Sequence, residues 1–173
     1  MARAAVRLRH RLQVGPRRRY PDTPEGDAAF WRDGLFVVSP HNVQIKAIER
    51  ALTAARTWHE PPFVDTVDRM QGQECEVVIV SYGVSDVEYA MNEKEFIYSL
   101  NRLNVSITRA RTKTIVFLPR PLIEPPMQVY EDDRLCDGVA FMQGLVRFAQ
   151  HRGEALRYPQ DGGELKVFRV PTS

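Results

Sequence analysis

Cysteine is scarce in this chain. Cys75 and Cys136 lie far apart and outside any CxxC pattern. They make neither a disulfide framework nor a metal knuckle, and they fit a reducing, cytoplasmic setting. No apolar run approaches the roughly 20 residues of a membrane-spanning helix, so no membrane partner is expected. An excess of one charge is also lacking. The 24 Lys and Arg against 22 Asp and Glu leave a net charge of +2, so overall charge does not argue for a polyanionic partner. Histidine is sparse: His10, His41, His59 and His151 are scattered, with no nucleophile–base constellation and no metal-ligand set. Glu131-Asp132-Asp133 reads as a solvated acidic run rather than a nuclease-like cluster.

What is present suits one globular domain with its own core: 173 residues, 43% apolar and 27% charged. The charge is unevenly placed. Met1 to Arg19 holds seven arginines (Arg3, Arg7, Arg9, Arg11, Arg17, Arg18, Arg19) and no acid. A phosphate-contacting arm and a solvated lead-in both fit this composition. The segment is Arg-rich like a mitochondrial presequence, but it is poor in Ser and lacks a clean amphipathic stripe, which argues against targeting. Residues 1–33 are expected to form a basic, partly irregular segment, with Val6-Arg7-Leu8-Arg9 as a short strand. Residues 34–173 are expected to form the domain proper.

Within that domain Leu35-Phe36-Val37-Val38 reads as a strand ended by Ser39-Pro40. Ile45, Ile48, Leu52 and Ala55 recur at helical spacing, with an end near Trp58. Phe63–Val67 reads as a second strand and Asp68–Glu74 as a tight turn or one-turn helix. The unbroken apolar run Val77–Ser81 suits a strand buried on both faces. Ser85–Glu93 reads as a surface loop. Leu100, Leu103, Ile107 and Ala110 define another helix, followed by a strand at Thr114–Leu118. Prolines 119, 121, 125 and 126 interrupt regular structure. A helix over Val139–Ala149, capped by Asp137, and a strand over Leu165–Val170 complete the chain. The alternation predicts an α/β fold with a mainly parallel sheet and helices on both faces.

Three segments carry polar clusters beside these elements: Val37-Val38-Ser39-Pro40-His41-Asn42-Val43-Gln44, Val64-Asp65-Thr66-Val67-Asp68-Arg69-Met70-Gln71-Gly72-Gln73-Glu74, and Asn104-Val105-Ser106-Ile107-Thr108-Arg109-Ala110-Arg111. Ligands of open α/β sheets bind at the carboxyl ends of strands, so the three are expected to share one edge. Arg109 and Arg111 are suited to bidentate phosphate contacts.

The three segments resemble motifs IV, V and VI of superfamily 1 helicases of the Upf1-like and Dna2-like group. The second is similar to T-x-D-x-x-Q-G-x-E and the third to N-V-x-x-T-R-A-[RK]. The resemblance spans Leu35 to Leu118, about half the chain. It implies a three-layer RecA-like domain of the P-loop NTPase type. It also implies Arg109 as an arginine finger toward the γ-phosphate of ATP, with dipole neutralisation at a helix end as the plainer alternative. Glu74 would accept a hydrogen bond from the ribose, Gly72 would allow a tight turn near the ligand, and Gln71 would sense the γ-phosphate. Arg111, His41 and Gln44 join the nucleotide set, His41 in place of a stacking Tyr found in many relatives. Ser39, Thr66 and Thr108 form the nucleic-acid set, Thr108 alternatively supporting Arg109. Asp68 is expected to cap the short helix. Arg102 is expected either to pair with an acid across a domain interface or to stay solvated.

The chain contains no G-x-x-x-x-G-K-[ST] and no acid pair at a strand end for Mg²⁺. The resemblance therefore implies the second motor domain of an ATP-dependent helicase or translocase. ATP with Mg²⁺ would be held mainly by an N-terminal RecA-like Walker A domain, in cis or trans, and single-stranded DNA or RNA would be the track. Alone the chain is expected to be inactive. The competing reading is a non-catalytic nucleic-acid-binding or regulatory module that keeps the fold.

Overall fold

The computed structural model describes residues 2–14, 20–70, 72–84, 87–160 and 163–171. Its centre is a sheet of four strands, β1 (Leu35–Val38), β2 (Val64–Asp65), β3 (Cys75–Ser81) and β4 (Ala110–Phe117). Their order is β2-β1-β3-β4 and every pairing is parallel. The register aligns Val38 with Val80, and Val80 with Val116.

The apolar runs are continuous because both faces of the sheet are covered. Phe36, Val38, Val78 and Val80 point into one core, with Leu103, Leu135, Val139 and Met142. Leu35, Val37, Val77 and Ile79 point into the other, with Ala5, Phe30, Trp31, Ile45, Ile48 and Leu52. The first core lies under α4 (Val87–Asn92), α5 (Lys94–Ile97), α6 (Leu100–Thr108) and α8 (Asp133–Arg152). The second lies under α1 (Ala2–Val14) and α3 (Asn42–Ala55). Right-handed crossovers explain the division. The chain steps from β1 to β2 in one direction and afterwards to β3 and β4 in the other, so α3 falls on one face and the later helices on the other. The result is the three-layer RecA-like arrangement expected from the sequence.

Several elements differ from the sequence reading. Val6–Arg9 is part of α1 and not a strand. Arg9 is fully buried and donates to Asp27 at 2.7 Å and to the Tyr20 and Pro21 carbonyls. A helix turns Arg9 inward toward those acceptors, which local alternation did not reveal. Asp27 belongs to α2 (Pro24–Ala29), started by Thr23, whose hydroxyl accepts from the Gly26 N–H at 3.1 Å. Much of the segment read as a loop after Ser85 is α4. Pro121 sits inside a short helix, α7 (Arg120–Ile123), as its early turn permits. The last long helix starts at Asp133 and is capped by Asp132, which accepts from the Arg134 N–H at 2.9 Å, so Asp137 is inside it. The final strand, β6 (Gly163–Arg169), pairs antiparallel with β5 (Glu154–Gln160) as a separate hairpin. Pro159 hid β5 from a strand reading.

Candidate functional site

Strand direction decides where each polar cluster lies. Ser39 follows β1 and Thr66 follows β2, at the carboxyl edge of the sheet. The Ser39 N–H donates to the Asp65 carbonyl at 3.1 Å and joins these two ends. Glu74 precedes β3 and Arg109 precedes β4, at the amino edge. There the Cys75 N–H donates to the Arg109 carbonyl at 3.1 Å. The clusters therefore divide between two edges instead of sharing one. The second cluster runs from the end of β2 back to the start of β3, and α6 runs antiparallel to the strands. Each delivers its last residues to the amino side.

The carboxyl edge is interlocked. Ser39 is buried, and its Oγ has no hydrogen-bond partner among the described residues. With Val80, Tyr82, Phe96, Arg102 and Ser106 it lines a small cavity open to solvent. The cavity lies between the carboxyl ends of β1 and β3, whose onward connections leave in opposite directions. Such a switch point is where open α/β sheets form a crevice. Arg102 donates to Asp68 at 3.2 Å and lies 4.1 Å from the centre of the Phe96 ring. The acid expected across a domain interface is thus in the same domain. Among the described residues Asp68 accepts from no backbone N–H; Asp65 instead accepts from the Thr66 N–H at 2.7 Å and fixes that turn.

His41 is buried edge-on against Tyr89, with ring centres 5.0 Å apart and 3.4 Å between Nδ1 and the Tyr89 hydroxyl. Its Nε2 has no partner among the described residues. Burial pushes the His41 pKa below its ordinary value, and the Glu93 charge opposes this. The exposed ring at this edge is Tyr89, 41% accessible. Tyr89 belongs to no motif and stands in α4, where the sequence shows no helical periodicity. Gln44 donates to the Ser81 hydroxyl at 3.3 Å. A Cβ on Gly83 would overlap the end of the Gln44 side chain, so any larger residue there would displace the Gln44 amide. His41 and Gln44 therefore stand with Ser39, away from Glu74 and Arg109.

The amino edge is sparser. Gly72 has φ +79°, which favours glycine, and it turns the chain toward Glu74. Glu74 is exposed, and Gln71 lies outside the described residues. Arg109 ends α6, where a cation also suits the helix dipole. Its Nε is buried without a partner among the described residues. Such a donor costs free energy until an acceptor reaches it. A cation with an unfilled donor and an exposed carboxylate, on segments joined by the Cys75–Arg109 backbone bond, suit a ligand that carries both an anion and hydroxyl groups. Arg111 is tethered elsewhere, to Glu76 at 3.3 Å and the Asp33 carbonyl at 3.4 Å. Thr108 donates to the Asn104 carbonyl at 2.8 Å and lies at this edge, apart from Ser39 and Thr66. Cys75, between the two, is buried and its pKa is pushed up to about 11, so the thiol is unreactive.

Away from both edges, oxygen and nitrogen atoms of Asp22, Asp27 and His59 lie within 4.8 Å of one another. Arg9 and Arg56 already neutralise the two carboxylates, so this is an ion-pair cluster. Among the described residues no helix is long and apolar enough to cross a membrane.

A family model described as an AAA domain matches residues 24–118. The chain is 27% identical over 128 residues to "DNA-binding protein SMUBP-2" of Mesocricetus auratus, covering 74% of this chain and 11% of the relative. It is 32% identical over 96 residues to "DNA replication ATP-dependent helicase/nuclease DNA2" of Bos taurus, covering 54% of this chain and 9% of the relative. The same identity and extent hold for the Homo sapiens protein of that name. The chain thus spans about a tenth of the length of these relatives. The matches bear out the superfamily 1 resemblance read from the motifs.

Proposed function

The chain belongs to the AAA domain family, and we propose that it is the second motor domain of an ATP-dependent helicase or translocase. In this reading residues 34–173 form the motor lobe and 1–33 its N-terminal segment. ATP with Mg²⁺ is held mainly by a Walker A domain, in cis or trans, and supplies the phosphoanhydride whose cleavage drives movement. The residues of the amino edge fit that nucleotide. The carrying observation is the Arg109 Nε, buried and without an acceptor among the described residues, one backbone hydrogen bond from the strand that follows Glu74.

Arg109 would meet the γ-phosphate and Glu74 the ribose, with Gly72 and Gln71 shaping the turn between lobes. Single-stranded DNA or RNA would lie at the carboxyl edge, against the free Ser39 hydroxyl and Thr66. His41 and Gln44 would act there as supports, His41 by holding the Tyr89 ring. Arg111 and Thr108 would steady the strand start and helix end around Arg109. Helix α6 joins the two edges, since Arg102 near its start bonds Asp68 and Arg109 closes its end.

The test combines this chain with the Walker A domain of its own motor and measures ATP hydrolysis stimulated by a single strand. Activity should depend on both parts and be lost in Arg109→Ala. Hydrolysis by the chain alone, dependent on Arg109, overturns the reading. Strand binding without hydrolysis by the combined domains favours the alternative, a non-catalytic nucleic-acid-binding module. The solvent-facing arginines of α1 support that alternative.

A further inference from the structure

The arginines of the N-terminal segment do not act alike. Arg9 turns inward and is consumed by Asp27 and two backbone carbonyls. Arg3, Arg7 and His10 are exposed, at spacings of four and three residues on α1, so they share one stripe. Helix α1 packs against α3 in the same layer. On α3, Lys46 and Arg50 are exposed one turn apart. None of Arg3, Arg7, Lys46 and Arg50 has an ion pair among the described residues.

Three acids of this layer are already paired with other cations. Asp27 serves Arg9, Asp22 serves Arg56, and Asp33 serves Arg32. Helix α1 contains no acid, and α3 contains only Glu49, which is half-buried. The opposite layer mixes both signs: Glu88, Glu93, Glu95, Asp133 and Asp137 stand with Lys94, Arg134, Arg147 and Arg152 on or beside α4, α5 and α8. The net charge of +2 is thus unevenly spread, with the acid-free α1 lying beside the outward cations of α3.

We propose that the outward cations Arg3 and Arg7 of α1 and Lys46 and Arg50 of α3 form a second anchoring surface for a nucleic-acid backbone. Its occupant is the single strand placed at the carboxyl edge, and for that identity the inference rests on the function proposed above. Continuity supports the assignment. Helix α3 begins three residues after Ser39, and Lys46 and Arg50 lie along it, within about 12 Å of its first residue. A strand leaving the Ser39–Thr66 edge meets these cations next. Flexible exposed cations positioned without base-reading partners suit phosphate contact irrespective of sequence.

The test uses the full chain and a fluorescently labelled oligothymidylate, with affinity followed by anisotropy over a salt series. The quadruple variant Arg3→Glu/Arg7→Glu/Lys46→Glu/Arg50→Glu should bind more than tenfold more weakly at low salt. Each lost contact to a single strand removes about 0.7 from the slope of log affinity against log salt, so four remove about 3. A charge-conserving variant, Arg3→Lys/Arg7→Lys/Lys46→Arg/Arg50→Lys, should retain the wild-type slope. All four side chains are exposed, so the melting temperature serves as a check on folding. An unchanged slope in the quadruple variant overturns the proposal. So does equal loss in the charge-conserving variant, absence of binding by the wild type at low salt, or preference for duplex over single strand. Ser39→Ala/Thr66→Ala separates the two readings. Loss of binding there, with none in the quadruple variant, leaves the edge and removes the anchoring surface. The opposite result removes the edge and keeps the surface.

Discussion

The two edges of the sheet are built differently. At the carboxyl edge Gln44 is held by Ser81, Arg102 by Asp68 and His41 by Tyr89, while the Ser39 hydroxyl and His41 Nε2 stay unpartnered among the described residues. At the amino edge Glu74 is exposed and the Arg109 Nε waits without an acceptor among the described residues. An interlocked edge is preorganised, and a ligand meets it without much reordering. A charged edge, with an unfilled cationic donor and an exposed carboxylate, is complete only when another surface closes on it, which suits a site shared between lobes.

Arg109→Ala gives the sharpest way to break this division. Turnover by the combined motor should fall about 10³-fold or more, the range seen when arginine fingers are lost, while strand affinity stays unchanged. Equal loss of both properties in hydrolysis and binding assays would mean that the edges are not separate sites.

Ser39→Ala with Thr66→Ala comes next. Two neutral hydrogen bonds at about 1 kcal/mol each amount to roughly 30-fold in strand affinity. Nucleotide affinity, measured by titration of a fluorescent ATP analogue into the combined motor, should not move.

Acid sensitivity should belong to the carboxyl edge. Burial lowers the His41 pKa in the folded chain. The unfolded chain therefore binds a proton first as pH falls, and stability is full above about pH 6.5 and declines below it. Thermal melts at pH 7.5 and pH 5.5 should show the loss, and His41→Phe should reduce it. A variant with the same acid loss as the wild type removes His41 as its source.

Asp68→Asn should have the smallest effect. The pair with Arg102 is exposed, so the cost in denaturant unfolding should stay below about 1 kcal/mol. Release of the Arg102 cation beside the Ser39 cavity should tighten strand binding by a few fold. Weaker binding would mean that Asp68 positions Arg102 instead of restraining it.

Much of the fold was legible in the sequence because both faces of the sheet are buried. The run Leu35–Val38 and the run Val77–Ser81 could sit only in a covered parallel sheet, and the 3.6-residue spacing of Ile45, Ile48 and Leu52 marked a helix over it. The residues of the two edges were legible as motifs, but their sorting was not. That depends on whether a residue precedes or follows its strand, and Glu74 and Arg109 both precede theirs. Tyr89 and the Arg102–Phe96 stack were hidden for another reason. Their partners are 48 residues away in one case and carry no periodic signal in the other. The inward turn of Arg9 was invisible because Asp27 lies 18 residues further on.

That buried arginine bears on how the chain can be divided. The family match begins at residue 24, after Arg9 but before Asp27. A truncation at that point discards this cation and leaves Asp27 with Arg56 at 3.7 Å and the His59 N–H at 2.9 Å. It also strips Ala5 and Tyr20 from the core over α3, and an ordinary domain has little net stability to spare for lost apolar burial. The stretch of sequence shared with relatives and the stretch that can stand as a folded piece are therefore different lengths, and an expression boundary drawn from the shared stretch would be drawn too late.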